Sequence, residues 1–244
     1  LMAASKAKAK AKPTTNDPRL NPIHAWFAQR NWTPLPFQQE TWSGYLAGRN
    51  GLIQVPTGSG KTFAAVMGPI ARMLAEEQPL KGIRLLYITP LRALSRDLSL
   101  AIREPIEAMG WPIRVGIRNG DSSSSERTKQ LKAPPQILVT TPESLALLLS
   151  NAKAEELFGQ LETVILDEWH ELMGSKRGSQ TELCLSWLRQ LRPQLQTWAI
   201  SATIGNLEQA ARHALGTAGE PQLIGGAPAR SMEIQSILPE MIDG

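Results

Sequence analysis

From Gly51 onward, short apolar runs rich in β-branched residues alternate with longer stretches whose apolar positions recur every three or four residues. The runs Leu52–Val55, Arg84–Thr89, Ile113–Ile117, Gln136–Thr140, Thr163–Asp167 and Thr197–Ser201 are expected strands. Thr62–Glu76, Leu91–Ala108, Glu126–Leu131, Glu143–Ser150, Thr181–Leu191 and Leu207–Ala214 are expected helices. Strands that are apolar throughout are those buried on both faces. The pattern therefore predicts an α/β fold with a mostly parallel sheet and helices on both faces. In such sheets ligands gather at the carboxyl ends of the strands. Ahead of this core, helical patterns over 21–47 are punctuated by Pro34 and Pro36, and residues 1–20 read as a disordered basic tail. One domain is expected over 21–235, with 236–244 a linker. No internal repeat is visible.

Composition narrows the class. An apolar fraction of 42% supports a sizeable core, and no stretch approaches the roughly 20 apolar residues of a membrane helix, so no membrane partner is expected. The N-terminus is an Ala/Lys repeat rather than an apolar leader. A single cysteine, Cys184, excludes an internal disulfide and points to a reducing, cytoplasmic setting. Three scattered histidines, His24, His170 and His213, cannot build a zinc cluster. The net charge is +4, and Lys6, Lys8, Lys10 and Lys12 account for all of it. The body is therefore close to neutral, and nucleic-acid binding would have to use a local track of groups rather than bulk charge.

The most informative segment is Val55-Pro-Thr-Gly-Ser-Gly-Lys-Thr62, set between an expected strand and an expected helix. Glycines let a backbone wrap a polyphosphate so that N–H groups and the positive helix end face its oxygens. Pro56, Thr57, Gly58, Ser59 and Gly60 form the cradle. Lys61 reaches the β/γ-phosphates, and Thr62 can ligate Mg²⁺. Val55 stands where the general pattern begins with glycine. The chain is expected to bind a nucleoside triphosphate with Mg²⁺.

About a hundred residues later, Thr163-Val-Ile-Leu-Asp-Glu-Trp-His170 delivers two carboxylates at a strand end. Asp167 is placed to hold Mg²⁺, and Glu168 suits a general base for the attacking water. His170 could sense the γ-phosphate state. Trp169 reads as core rather than as an exposed stacking ring. Ser201-Ala-Thr203 puts Ser201 and Thr203 at another strand end, where hydroxyls can shift with nucleotide state.

Thr89-Pro90 and Thr141-Pro142 each suggest a threonine N-cap followed by proline at the first helical position. Arg92 would then sit one turn inside the first of these helices. A third helix start lies at Asp121–Glu126, where Ser123 and Glu126 fit a capping box and Asp121 is expected to cap rather than to touch phosphate. Three helix starts along one sheet edge suggest a track for backbone phosphates that reads no sequence. Lys176-Arg177-Gly178 is a basic turn, either solvated or a further phosphate contact.

In order, Val55–Thr62, Thr89–Leu94, Gly120-Asp121, Thr140–Leu145, Asp167–His170 and Ser201–Thr203 resemble the motif series of superfamily-2 helicases with a DExH box. Gln38, in Leu35-Pro-Phe-Gln-Gln-Glu-Thr-Trp42, looks like the glutamine that reads adenine in that series. The details Thr-Pro-Leu-Arg-Ala-Leu, Thr-Thr-Pro-Glu-Ser-Leu and Ser-Ala-Thr-Ile-Gly-Asn look like the Lhr (large helicase-related) family, most like its bacterial ligase-associated branch. The resemblance implies a RecA-like first domain of an ATP-dependent, 3′-to-5′ translocase on single-stranded DNA, or on an RNA:DNA hybrid. It implies strand contacts at Thr89, Pro90, Arg92, Gly120, Asp121, Thr141, Lys176 and Arg177. It further implies a monomer in a bacterial, nucleoid-associated repair setting with a DNA ligase as functional neighbour. A second RecA-like domain bearing a catalytic arginine, and a winged-helix domain, would complete such a protein. The rival readings are a non-catalytic nucleic-acid-binding module and another phosphate-loop ATPase such as a transporter motor. The Asp-Glu-x-His box and Ser-Ala-Thr speak against the latter.

Overall fold

The computed structural model describes residues 16–56, 58–202 and 221–225. Among these residues, seven strands form one parallel sheet: β1 (Gly51–Gln54), β2 (Leu85–Ile88), β3 (Val115–Arg118), β4 (Ile137–Thr140), β5 (Thr163–Leu166), β6 (Gln196–Ser201) and β7 (Gln222–Gly225). Their order across the sheet is β3-β4-β2-β5-β6-β1-β7. Nine α-helices accompany them among the described residues: α1 (Asn21–Gln29), α2 (Pro36–Leu46), α3 (Lys61–Leu74), α4 (Leu94–Met109), α5 (Ser124–Lys132), α6 (Pro142–Leu149), α7 (Ala154–Phe158), α8 (Trp169–Leu172) and α9 (Lys176–Leu191).

Period-two side-chain alternation splits each buried strand between two apolar clusters. Ile53, Leu85, Tyr87, Ile137, Val139, Ile165, Trp198 and Ile200 face one cluster, with residues of α1 to α4. Leu52, Leu86, Ile88, Leu138, Val164, Leu166 and Ala199 face the other, with residues of α6 to α9. Burial on both faces is why these strands read as unbroken apolar runs.

The strand order places the chemistry. Strands β5, β6 and β1 are neighbours, so the acidic box, Ser201 and the phosphate loop emerge side by side at one carboxyl edge. Strands β2, β4 and β3 form the adjoining half of the same edge and carry the Thr89, Thr141 and Gly120 segments. At the β3 edge of the sheet, the carbonyls of Val115 and Ile117 accept from Arg103 at 2.8 Å and from Gln130 at 2.7 Å. Side chains thus occupy acceptors that a foreign strand would otherwise pair with.

Several expectations need correction. Ordered structure begins before Asn21: Asp17 caps a 3₁₀ turn over Pro18–Leu20, and Leu20 is buried in the core. The helix after Thr89-Pro90 starts at Leu94, not Leu91, and Ala93 rather than Thr89 is its N-cap. Arg92 therefore lies in the turn ahead of α4, closed by Leu94 N–H to the Leu91 carbonyl and Ser95 N–H to the Arg92 carbonyl. Lys176 and Arg177 form the first turn of α9, not a free basic turn. Ser175 Oγ accepts from Gly178 N–H there and extends the helix five residues upstream of Thr181. Strand β7 and helices α7 and α8 lie outside the expected elements. The expected helix 207–214, Thr57, Thr203 and residues 236–244 lie outside the described residues.

Candidate active site

The phosphate loop connects β1 to α3. Gly60 is the N-cap of α3 at φ 84°, a left-handed backbone, and a Cβ there would stand 2.8 Å from Gln38 Nε2. Only glycine satisfies both constraints. Gln38 is buried and both ends of its amide are engaged: Oε1 accepts from Leu35 N–H at 2.9 Å, and Nε2 donates to the Gly60 carbonyl at 3.1 Å. It therefore ties the start of α2 to the phosphate loop. One N–H and one lone pair of the amide remain for a ligand edge. Ser59 Oγ donates to the Pro56 carbonyl at 2.6 Å and tightens the loop.

Lys61, the first residue of α3, turns toward the end of β5. Its ammonium hydrogen-bonds Glu168 Oε1 and stands 4.0 Å from Asp167 Oδ1. The three side chains keep only 12%, 13% and 3% of their exposure for Lys61, Glu168 and Asp167. Glu168 adopts φ 45°, one of two non-glycine residues with positive φ among those described. Such backbone is costly for a residue with a Cβ and concentrates at functional sites. Here it lets the chain turn from β5 into α8 while Asp167 and Glu168 both face the loop.

His170 Nδ1 lies 2.9 Å from Ser201 Oγ and 3.6 Å from Glu168 Oε2. The imidazole thus links the end of β6 to the acidic pair, so Ser201 reaches the carboxylates through His170. Trp169 is fully buried, as expected.

Burial pushes Asp167 up to about 6, with neighbouring Glu168 adding to the rise and Lys61 opposing it. The structure also contributes a residue that its sequence context did not suggest. Tyr87, on β2, is fully buried, and its hydroxyl lies beside both Asp167 and Thr62 without a well-directed hydrogen bond to either. In the sequence it reads as one more apolar strand residue. Among the described residues no group of three or more His, Cys, Asp or Glu could cage a metal. A buried carboxylate short of positive charge beside a threonine hydroxyl fits Mg²⁺, which is usually held by one or two carboxylates together with substrate phosphates and water.

Ionising Asp167 in this setting is expected to cost the ligand-free protein stability. Its folded value lies above the ordinary 3.8, so the neutral form is favoured by folding. The cost is then fully present well above pH 6 and disappears as pH falls through about 6 toward 4. A rise of two units corresponds to about 3 kcal/mol. Asp167→Asn should therefore stabilise the ligand-free chain at pH 8, with the gain shrinking toward pH 4. Urea unfolding in chelator at several pH values checks it, and a destabilised Asn variant would show Asp167 to be a net structural partner.

Along the other half of the edge, Thr141 caps α6 with Pro142 at the first position, as expected, and Ser123 and Glu126 form the expected capping box of α5. Asp121 does not cap. Its carboxylate accepts from Arg92 Nη1 at 3.0 Å, both side chains being exposed. Arg92 leans over Gly120, where a Cβ would lie 2.8 Å from Nη1. Thr89 Oγ1 accepts only a long 3.4 Å bond from Leu91 N–H. Arg177 pairs with Glu143 and so joins α9 to α6. The edge thus brings Thr89, Pro90, Arg92, Gly120, Asp121 and Thr141 onto adjacent strand ends.

A DEAD/DEAH box helicase family model matches residues 35–210. The Lhr helicase/probable uracil glycosylase of Mycolicibacterium smegmatis is 37% identical over 231 residues, covering 88% of this chain and 15% of that protein. The ATP-dependent helicase Lhr-Core of Methanocaldococcus jannaschii is 34% identical over 231 residues, covering 89% of this chain and 27% of that protein. Among solved structures, the Mycobacterium smegmatis helicase Lhr bound to ssDNA and AMP-PNP superposes with a TM-score of 0.76 at 34% identity. That match covers 86% of this chain and 28% of the solved one. The chain spans about a quarter or less of the length of these relatives. With its RecA-like sheet and phosphate loop, the chain belongs to the DEAD/DEAH box helicase family and, within it, to the Lhr-type helicases.

Proposed function

We propose that this chain is the ATP-binding lobe of an ATP-dependent, 3′-to-5′ translocase on single-stranded DNA, working in bacterial DNA repair in the ligase-associated branch of the Lhr helicases. The observation that carries the reading is Lys61 shared between Glu168 and Asp167 under the phosphate loop. It is supported by likeness to a relative solved with ssDNA and AMP-PNP. An incoming γ-phosphate competes for the Lys61 ammonium and frees Glu168 to accept a proton from water. Thr62 and Asp167 would hold Mg²⁺, which supplies positive charge to the β/γ-oxygens. Gln38 offers its remaining polar positions to the base. Movement of Glu168 is felt by His170 and Ser201, giving the site a mechanical output. The strand lies across Thr89, Pro90, Arg92, Gly120 and Thr141, with Lys176 and Arg177 at the far side. The protein acts as a monomer in the cytoplasm near the nucleoid, beside a DNA ligase.

The test compares steady-state ATPase, with and without single-stranded DNA, for this chain and for one extended through the next RecA-like lobe. A second lobe contributes an arginine worth about 10³–10⁵ in rate, so stimulation should appear only in the longer protein. Arg92→Ala there should lower DNA-stimulated turnover and leave nucleotide affinity alone. Equal rates for the two chains would place the whole catalytic site within residues 1–244. Stimulation by RNA but not DNA would make it an RNA-directed helicase, and binding without any turnover would make it a non-catalytic module.

A further inference from the structure

Arg118 ends β3 at the carboxyl edge of the sheet, where its carbonyl accepts from Thr140 Oγ1 at 2.6 Å. Its side chain is partly buried, and Nη1 is enclosed with no hydrogen-bond partner among the described residues. The charged neighbour that bears on it is another cation: burial and the charge of Arg127 both push the Arg118 guanidinium below its usual value. Arg127 donates through Nε to the Ser122 carbonyl at 2.9 Å and through Nη2 to the Gly120 carbonyl at 3.4 Å, so it braces the turn 119–122. That turn is further closed by Asn119 Oδ1 accepting from Asp121 N–H at 2.9 Å. Arg127, whose charge bears on Arg118, braces this turn, and Arg92 reaches the same turn at Asp121. Its one carboxylate, Asp121, is already paired with Arg92.

An enclosed guanidinium with an unmet N–H, held beside a like charge, is unfavourable in the free protein. Capping of the sheet edge does not explain it, since Arg103 and Gln130 perform that task. The missing component is an anion with several oxygen acceptors. Arginine is the side chain whose planar fork matches a phosphate group, and a phosphate between Arg118 and Arg127 would relieve both the repulsion and the unmet donor. Arg118 stands at the end of β3, beside the end of β4 that leads into Thr141 and two residues before Gly120.

We propose that Arg118, braced by Arg127, is a binding position for a backbone phosphate of the nucleic-acid strand. The proposal rests on the strand-binding reading above and adds to it a residue which that reading did not contain. Phosphate chemistry alone would also admit free inorganic phosphate, so the experiment separates the two.

In the full-length protein, Arg118→Gln, Arg118→Lys and Arg92→Ala are compared with wild type for binding of a twenty-nucleotide oligo-dT by fluorescence anisotropy across a salt series. Thermal unfolding without DNA is measured alongside. Arg118→Gln should weaken binding about tenfold and reduce the slope of log affinity against log salt by about 0.7, one phosphate contact on a single strand. The DNA-free Tm should stay level or rise, since a strained donor and a repulsion are removed; a merely structural arginine would lower it. Arg118→Lys keeps the charge without the fork, and should restore the salt slope but only part of the affinity. An unchanged slope with a lowered Tm in Arg118→Gln overturns the proposal. A weakened Arg92→Ala beside an unaffected Arg118→Gln removes this position and leaves the strand reading standing. Absence of oligo-dT binding by wild type removes both. Stabilisation of wild type but not Arg118→Gln by inorganic phosphate at matched ionic strength, with equal oligo-dT affinity, would assign the position to the free ion and overturn the strand assignment.

Discussion

Lys61→Ala is expected to weaken nucleotide binding severely while the sheet stays folded. Lys61 is the only charged side chain between Val55 and Thr62, so its loss leaves the phosphate oxygens to neutral N–H donors and the helix end. A charge-assisted bond of this kind contributes about 1.5–3 kcal/mol, which corresponds to a loss of roughly ten- to hundredfold in affinity. The structure adds a second consequence. Lys61 is the cation that Asp167 and Glu168 share, and both carboxylates are almost enclosed. Without it the ionised pair repels, so the ligand-free variant should be less stable than wild type at pH 8. Because Lys61 holds the Asp167 carboxyl down, its loss favours the neutral form of Asp167 further, and the deficit should shrink as pH falls toward about 6. Titration calorimetry and urea unfolding at two pH values check both parts. Unchanged affinity would remove Lys61 from the phosphate role.

Glu168→Gln should separate binding from hydrolysis in a protein that carries the second lobe. The amide keeps the shape but cannot take the water's proton, and loss of a general base lowers turnover by about 10²–10⁴. The ion pair in the free protein makes the binding effect directional. ATP must draw Lys61 away from Glu168, so neutralising Glu168 removes a competitor, and nucleotide affinity should hold or rise modestly. Single-turnover hydrolysis together with an affinity measurement tests this. Turnover within about twofold of wild type would make Glu168 a structural carboxylate rather than a base.

Much of this site is legible in the sequence because its parts are local. A glycine pair before Lys61, a threonine before Pro142, and a serine three residues ahead of Glu126 each act within one turn of backbone, and each stands where spacing places it. The Thr89-Pro90 pair looks the same on paper and behaves differently. The chain makes an extra turn through Leu91 and Arg92 before α4 begins, so Arg92 can reach over Gly120 to Asp121. Asp121 likewise loses its expected capping role to a partner 29 residues away. Lys176 and Arg177 become helical because Ser175 supplies a cap, a signal present in the sequence but masked by the charges that follow it.

The sequence by itself determined the element types, the two-faced parallel sheet, the phosphate loop and the acidic strand end. Each rests on periodicity or on spacings shorter than one element, and these act through backbone geometry alone. Only the tertiary structure decided which distant groups share a neighbourhood. Strand order sets β6 between β5 and β1, and so joins Lys61 to Glu168 across 107 positions and His170 to Ser201 across 31. It buries the Tyr87 hydroxyl beside Thr62 and Asp167, and it encloses Arg118 Nη1 without a hydrogen-bond partner. Burial, charge repulsion and an unmet hydrogen bond are properties of a packed environment, and no single stretch of chain encodes them.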